Sequence, residues 1–405
     1  MSIPSLSVAA KTKGLHIIGT GDATHPKWLA EVKEQLSPEN DSGLYTVSGQ
    51  ASSPRFILTA EVATISHLNG KSKRIHHLLL LPSIEIAYQL SDILKSKGDL
   101  NSDGRPMLHL TGSELVEAVK SVSAWAEVIP AHIWTPWWSL FGSIGGYDSI
   151  EQCYEDKVDE IHALETGLSS DPPMNWRISN LDKYVLVSNS DSHSANPHRL
   201  GREANVFDLP SLSYRSIIES IRKTGEGSLR HTIETYPQYG KYHWTGHRKC
   251  EVVLSPSDSI KIGNKCPKCG RKLTLGVDQR IDEFSDRPAG FQPEDVPGFK
   301  YLLPLHEVIC SALGCTIYSS KPQPIYDKLV SSFGDEFTVT LKAPIEIIAK
   351  LTTPEIAGAV WAVRQNKVRV EPGYDGLYGR LVLPSNISDK ELWVESKPAG
   401  LDYWV

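Results

Sequence analysis

The chain has 405 residues, a formal net charge of −6 and 40% hydrophobic residues. This composition is ordinary for a soluble protein and leaves room for two or three domains. No apolar run reaches the roughly 18 residues that a membrane helix needs, and the amino-terminal segment lacks the apolar core of a signal peptide. We therefore expect a cytoplasmic protein. The acidic balance also excludes a uniformly basic nucleic-acid-binding surface.

Short apolar runs alternate with amphipathic segments over about the first 235 residues. Six runs predict buried strands, at residues 14–22, 55–65, 74–82, 126–134, 161–167 and 184–193. Helical spacing predicts four helices, at residues 25–36, 83–98, 112–126 and 212–225. Ser83 and Thr111 lie at expected capping positions. Because strands and helices alternate, we expect a parallel α/β domain over residues 1–235, as a barrel or a distorted barrel.

The predicted strands end in acidic and imidazole side chains, namely Asp22, Glu61, His76 or His77, His132, Glu165, Asp191 and His193. Each one alone is more often part of a capped turn or a satisfied polar group in the core. In α/β folds, however, chemistry gathers at the carboxyl ends of strands. Asp191 and His193 lie two residues apart, so we expect their side chains to point the same way along a strand. Carboxylates mixed with imidazoles suit zinc, manganese or iron in a hydrolytic site, where bound water is acidified.

A cysteine-rich segment follows this domain. Cys266 and Cys269 form a Cys-x2-Cys pair before Gly270, which is typical of a zinc knuckle because glycine permits the tight turn. Cys250 has Val253 where a second cysteine would complete a four-cysteine ribbon. The predicted zinc ligands are therefore His247, Cys250, Cys266 and Cys269, with His243 as the alternative to His247. A structural zinc that pins a small ribbon is the simplest interpretation.

The same region is locally basic. Residues 241–280 contain nine Lys and Arg residues against three acidic residues, which suits contacts with nucleic-acid phosphates. Beyond residue 280 the spacing is mainly helical up to about residue 370, and residues 371–384 read as extended. We expect three units: residues 1–235, a zinc ribbon at 236–280 and a mainly helical domain at 281–405.

Several motifs along the chain resemble the endonuclease Q family, among them "GTGDATHP", "IHHLLLLPS", "NSDGRP", "PAHIWTPW", "NSDSH" and "CPKCGRKLTLGV". The resemblance implies a PHP-type (polymerase and histidinol phosphatase) distorted (β/α)7 barrel, followed by a zinc ribbon and a helical domain that supports DNA binding. It also implies a DNA-repair endonuclease that cuts on the 5′ side of uracil, hypoxanthine or xanthine and at abasic sites. Divalent ions (Zn, Mn or Mg) in the PHP site and one structural zinc are the expected cofactors. DNA containing deaminated bases is the expected partner.

The family motifs also imply roles for individual residues. The implied metal ligands are Asp22, Glu61, His76 (or else His77), His132, Asp191 and His193. Asp191 and His193 are the implied catalytic residues, with Asp191 holding a metal and orienting the attacking water. Contacts with DNA are expected from residues in motifs beside the site, and the alternative is a buried stabilising network: Asn175, Trp176, Arg177 and Arg202.

One feature of the family pattern is missing from this sequence. Family members open with a strand that carries a His-x-His pair of metal ligands, and no such pair occurs in these 405 residues. We expect either a start further upstream or an incomplete metal cluster, and the presence of the later motifs favours an upstream start. Two alternative functions stay open: a catalytically impaired protein that binds damaged DNA, and a PHP-type phosphatase.

Overall fold

The computed structural model describes residues 1–50, 54–102 and 104–393. The largest sheet contains the first seven strands, β1 (Ile17–Gly19), β2 (Leu36–Pro38), β3 (Tyr45–Val47), β4 (Arg55–Leu68), β5 (Lys71–Leu81), β6 (Met107–Leu108) and β7 (Glu127–Pro130). Strands β2, β3, β4, β5 and β7 lie side by side, each antiparallel to its neighbour. Strands β1 and β6 pair with β4 in parallel.

This sheet differs from the parallel arrangement expected from the alternation of strands and helices. β4 and β5 are joined by only Asn69 and Gly70, whose φ angles are 51° and 74°. A two-residue loop with left-handed backbone can connect antiparallel strands only, because parallel strands need a long crossover. The Asn-Gly pair between the two apolar runs was the sequence signal for this hairpin.

Two further strands, β8 (Ala163–Glu165) and β9 (Val185–Val187), form a separate parallel pair. No sheet in the described part of the chain closes into a barrel. The coarse prediction of a mixed α/β structure is therefore confirmed, and the predicted strands all contain observed ones.

The helices of this half of the chain are α1 (Ile3–Lys13), α2 (Pro26–Gln35), α3 (Ile84–Leu94), α4 (Gly112–Val122), α5 (Glu151–Tyr154), α6 (Pro172–Asn175) and α7 (Tyr214–Arg222). The four predicted helices correspond to α2, α3, α4 and α7. Ser83 accepts a hydrogen bond from the backbone of Ile86, and Thr111 forms a capping box with Glu114, so both predicted caps are confirmed.

The remaining elements follow in chain order. A three-stranded sheet joins β10 (Ala204–Asp208), β11 (Ser228–Glu234) and β14 (Gly298–Tyr301), and an antiparallel hairpin joins β12 (Thr245–His247) to β13 (Val252–Leu254). The next helices are α8 (Pro256–Lys261), α9 (Val277–Phe284), α10 (Leu305–Leu313), α11 (Pro322–Phe333), α12 (Glu336–Leu341), α13 (Ile345–Leu351) and α14 (Pro354–Arg364), before the hairpin of β15 (Arg369–Glu371) and β16 (Arg380–Val382).

Two large hydrophobic cores organise these elements. The first lies between the seven-stranded sheet and helices α1 to α4, and α9 contributes Val277 and Ile281 to it. The second is built from α10 to α14, with Ile233 of β11 and Tyr236 packed against them. The expected helical character of the carboxyl-terminal part is thus present over residues 305–364. None of the helices described is long and apolar enough to cross a membrane.

Candidate metal centres

One carboxylate and two imidazoles meet where β4, β5 and the end of β7 come together. In the β4–β5 register Ala63 lies opposite His76, so Glu61, two residues from Ala63, projects on the same face as His76. Glu61 Oε1 lies 3.1 Å from His76 Nδ1 and 3.5 Å from His132 Nε2. One ligand atom from each of the three side chains lies within 4.8 Å of the others. This spacing fits one divalent ion at ligand distances of about 2 Å.

The strand geometry also separates His76 from His77. His77 pairs with Val62 and therefore projects to the opposite face of the sheet. Its side chain is fully buried there, with Nε2 2.9 Å from Thr64 Oγ1 and Nδ1 3.0 Å from the hydroxyl of Tyr154. Both ring nitrogens of His77 are therefore engaged in the core, which leaves His76 as the ligand candidate.

The two histidines of the cluster are held by neighbours outside it. The ring of His76 stacks on Trp138 at a centroid distance of 5.3 Å, and His132 Nδ1 lies 3.0 Å from Thr135 Oγ1. Such contacts orient a ligand ring toward its ion. Burial lowers the pKa of His76 to about 4, so this imidazole is neutral and free to donate a lone pair at neutral pH. Burial also opposes protonation of His132, but the hydrogen bond and charge of Glu61 outweigh it and raise the pKa of His132.

Glu165 holds the backbone of His132 next to this cluster. Its Oε2 accepts a hydrogen bond from the backbone N–H of His132 at 2.8 Å, and its Oε1 accepts one from the amide of Asn189 at 2.8 Å. The side chain is buried, and burial raises its pKa to about 7. Among the strand-end candidates, Glu165 therefore positions His132 and is not one of the three clustered ligands.

Left-handed backbone conformations concentrate around the cluster. Four residues other than glycine have positive φ angles there: Asp22 (49°), His132 (31°), Trp138 (61°) and Asp191 (43°). Such conformations are costly for residues with a Cβ, and they persist where the surrounding structure holds them for function. Three of these four were predicted as ligands from the sequence.

Asp191 and His193 lie in a loop and not in a strand. Strand β9 ends at Val187, and the following loop is tied down by Arg202, whose Nε donates to the carbonyl of Ser190 at 2.9 Å. The strand expected to reach His193 therefore stops at Val187, although His193 Nδ1 still lies 3.8 Å from Asp191 Oδ1. The Asp191 side chain is 33% exposed and that of His193 is 68% exposed.

Within the described residues, the structure brings together three of the six predicted ligands and leaves three at the edge of the site. Asp22 follows β1 and is exposed. The charges of Glu61, Arg105 and His193 act on its carboxylate, so Asp22 lies on the same side of the molecule as the cluster. Metal ligation by Asp22, Asp191 and His193 stays a prediction.

Arg105 joins the two parts of the site, and the sequence alone did not single it out. Its Nε contacts Glu61 Oε1, its Nη2 lies 2.5 Å from Asp191 Oδ1, and its Nη1 lies 3.4 Å from His193 Nε2. The only sequence signal was its place in the motif "NSDGRP", directly before β6.

The residues expected to touch DNA beside the site are mostly engaged inside the protein. Asn175 is 1% exposed, and its amide is hydrogen-bonded within the core. Trp176 is buried, and Arg177 Nη2 donates to Asp282 at 2.6 Å. Arg202 is also buried. This arrangement agrees with the stabilising network that was the alternative for these four residues, and it does not present Asn175 to a ligand.

The zinc ribbon ligands predicted from spacing converge on one point. One ligand atom from each of four side chains lies within 4.8 Å of the others: His247, Cys250, Cys266 and Cys269. The tight turn after Cys269 uses Gly270 with φ 73°, as the knuckle requires. His243 lies outside this cluster and is 4% exposed. Four nitrogen and sulfur ligands at this spacing fit a closed tetrahedral zinc site.

Basic residues cover the surface of the ribbon. Eight lysine and arginine side chains are exposed there: Lys241, Arg248, Lys249, Lys261, Lys265, Lys268, Arg271 and Lys272. Three apolar side chains are also exposed beside them: Val253, Ile260 and Ile262. This surface combines positive charge with apolar contact area, which suits a nucleic-acid backbone and base edges.

Comparison with known proteins places these sites in a family. Residues 304–367 match the family model of the MJ0043 C-terminal domain. The chain is 35% identical over 277 residues to protein MJ0043 of Methanocaldococcus jannaschii, which covers 67% of the chain but only 33% of that protein. It is 27% identical over 374 residues to YqxK of Bacillus subtilis, covering 92% of the chain and 90% of YqxK.

Two solved structures are similar over almost the whole chain. One is the lesion-specific endonuclease PfuEndoQ of Pyrococcus furiosus, with a TM-score of 0.84 and 35% identity over 97% of this chain and 93% of that one. The other is endonuclease Q in complex with a 27-mer duplex substrate that has an abasic lesion at the active site, with a TM-score of 0.85, 35% identity, and coverage of 97% and 95%. Because the identity and the fold agree over nearly the full length of both structures, the chain belongs to the endonuclease Q family.

Proposed function

We propose that the protein is a metal-dependent DNA-repair endonuclease that hydrolyses the phosphodiester 5′ to a deaminated base or an abasic site. The observation that carries the proposal is the cluster of Glu61, His76 and His132 beside the Asp191 loop. The proposal is supported by the shared fold, since one similar structure is bound to a lesion-bearing duplex. Uracil, hypoxanthine and xanthine are the proposed base lesions.

The chemistry follows from the side chains of the site. A divalent ion held by Glu61, His76 and His132 would acidify a bound water and draw charge from the phosphodiester oxygens. Asp191, on the loop beside this cluster, would orient the attacking water and accept its proton. His193 is exposed next to Asp191, and we assign it to protonate the leaving oxygen. One proton thus leaves the water while another reaches the departing oxygen.

The rest of the chain would hold the substrate. In this proposal residues 1–235 form a PHP-type phosphoesterase domain, 236–280 a zinc ribbon, and 281–405 a helical domain that supports DNA binding. The exposed basic side chains of the ribbon contact phosphates. A small-molecule phosphatase has no use for that surface, so the ribbon favours DNA as substrate. Affinity for DNA should fall steeply as salt rises, whereas turnover of a small phosphate ester should respond weakly.

The test is to replace Asp191 by Asn, which keeps the shape of the side chain but removes its charge. We expect nicking of a uracil-containing duplex to fall by roughly a hundredfold or more, with DNA binding nearly unchanged. Nicking and gel-shift assays with Mn²⁺ are run side by side, on the damaged duplex and on an undamaged duplex of the same sequence. Asp159→Asn, at an exposed position of the short 3-10 helix Glu155–Glu160, is the matched control.

Each result has a defined meaning. Unchanged nicking by Asp191→Asn would remove Asp191 from the site. Specific binding of the damaged duplex without nicking by the wild-type protein would favour the damaged-DNA-binding alternative. Hydrolysis of a phosphate monoester without any affinity for DNA would favour the phosphatase.

A further inference from the structure

Arg105 is delivered to the metal centre by the sheet itself. The carbonyl of Pro106 accepts a hydrogen bond from the backbone N–H of Ala63 at 2.9 Å, and the next residue starts β6, which pairs with β4. Because Ala63 and Glu61 lie two residues apart on β4, they share a face of the sheet. The backbone of Arg105 is therefore anchored next to Glu61, and its side chain has a fixed starting point.

The guanidinium group of Arg105 bridges two carboxylates from different parts of the chain. Its Nε contacts Glu61 on β4, and its Nη2 contacts Asp191 on the loop after β9 at 2.5 Å. The side chains of Arg105 and Glu61 are each 21% exposed. Two carboxylates this close in a partly buried site repel each other unless a cation lies between them. In this structure, Arg105 provides that cation.

The atom that Arg105 contacts distinguishes between two roles. An arginine that only orients a ligand bonds to the carboxylate oxygen that does not face the ion. Arg105 Nε instead contacts Glu61 Oε1, the same oxygen that lies 3.1 Å from His76 Nδ1 and 3.5 Å from His132 Nε2. That oxygen is the one that faces both imidazoles, so the guanidinium occupies the approach that an ion would use.

We propose that Arg105 is a built-in counter-ion of the metal centre, which holds Glu61 and Asp191 together in the metal-free protein and competes with the divalent ion for them. The inference rests on the proposed function only in that Glu61 is taken as a metal ligand. Arg105 thereby makes the affinity of the site for the ion weaker than its ligands alone would produce. It also keeps the Asp191 loop attached to β4 before the ion arrives.

Competition between Arg105 and the ion predicts whether the affinity for Mn²⁺ rises or falls when Arg105 is replaced. Replacing Arg105 by Gln removes the competing positive charge, so Mn²⁺ should bind at least about tenfold more tightly. If Arg105 instead arranges the ligands for the ion, the same substitution should weaken Mn²⁺ binding. Arg105→Lys keeps the charge but can hold only one carboxylate at a time, so its affinity should lie between those of the wild type and Arg105→Gln.

The experiment is a Mn²⁺ titration by calorimetry, together with electron paramagnetic resonance of free Mn²⁺, on the 405-residue chain whose ribbon is saturated with zinc. Arg215→Gln, on the exposed surface of α7, is the control and should bind Mn²⁺ like the wild type. Circular dichroism checks that each variant is folded. If Arg105→Gln does not fold, the comparison of Arg105→Lys with the wild type decides the question.

Equal or weaker Mn²⁺ binding by the folded Arg105 variants would overturn the inference. A His76→Ala variant separates this failure from failure of the proposed function. If His76→Ala abolishes Mn²⁺ binding while the Arg105 variants bind like the wild type, the metal centre stands and only the counter-ion role fails. If no protein binds Mn²⁺, the proposed function and the inference both fail.

Discussion

At the scale of single residues, a carboxyl group is fully enclosed behind the candidate metal centre. Glu203 is 3% exposed, and its two oxygens accept hydrogen bonds from Ser188 Oγ at 2.6 Å and from Thr235 Oγ1 at 2.8 Å. Burial raises its pKa to about 7, despite these hydrogen bonds. Burial also raises the pKa of the neighbouring Glu234 above its ordinary value. The fold therefore favours protonated carboxyl groups at this place.

This burial predicts how stability depends on pH. A carboxyl whose pKa is raised by folding stabilises the protein fully below its unfolded pKa near 4.5, and this contribution is lost as pH rises to about 7. Its size is at most roughly 3 kcal/mol. We expect Glu203→Gln, which imitates the protonated form, to flatten the fall in unfolding free energy between pH 5 and pH 8 in urea titrations. Glu34→Gln, at an exposed position of α2, is the control. Parallel pH profiles for wild type and Glu203→Gln would contradict this assignment.

At the scale of elements, the ribbon has too little apolar core to fold by burial alone. Its buried hydrophobic cluster consists of only Val252, Cys266 and Leu273 among the described residues. Small units of this kind depend on a metal for their stability. The hairpin of β12 and β13 and the Cys266 turn should therefore be held together by zinc.

Zinc binding by the ribbon should depend on His247 and not on His243. His247→Ala should release most of one zinc equivalent and increase proteolysis within residues 245–274, because it removes one of four ligands. His243→Ala should retain zinc, because His243 lies outside the cluster. The measurement is zinc content by mass spectrometry after dialysis, combined with limited proteolysis. Retention of zinc by His247→Ala together with its loss from His243→Ala would reverse the assignment.

At the scale of the whole molecule, one buried ion pair connects the first helix to the helical carboxyl-terminal part. Lys13 at the end of α1 lies 2.7 Å from Glu336 at the start of α12, and both side chains are 2% exposed. Lys13 Nζ also donates to the carbonyl of Pro197 at 2.6 Å, in the loop that carries Asp191. The helical carboxyl-terminal part is thereby linked, through a single lysine, to the loop at the candidate active site.

Removing one partner of this pair should destabilise the protein strongly. Glu336→Gln leaves the Lys13 charge buried without its partner, so the unfolding free energy should fall by about 3–5 kcal/mol. The double variant Lys13→Met with Glu336→Gln should recover part of this loss, because no charge then stays buried. Urea denaturation measures both effects. Asp92→Asn, in the exposed pair with Lys95, is the control and should change stability little. A loss below about 1 kcal/mol for Glu336→Gln would contradict this role.

Local patterns were sufficient for the features that depend on neighbours in sequence. The caps at Ser83 and Thr111 and the spacing of His247 and Cys250 before the knuckle could be predicted because helix ends and zinc turns are built within a few residues. The resemblance to endonuclease Q motifs, confirmed by the comparisons, also came from short segments read in order. Together these patterns determined the mixed α/β class and the place of each candidate site along the chain.

Only the tertiary structure decided which residues meet. Pairing of β4 with β5 placed His76 beside Glu61 and buried His77, since neighbouring residues of a strand face opposite sides. The end of β9 at Val187 put Asp191 in a loop, which strand periodicity could not predict. Arg105 came to lie between Glu61 and Asp191 through sheet pairing far from it in sequence. The physical reason is that spacing along the chain sets local conformation, whereas contacts across it depend on the register and packing of distant elements.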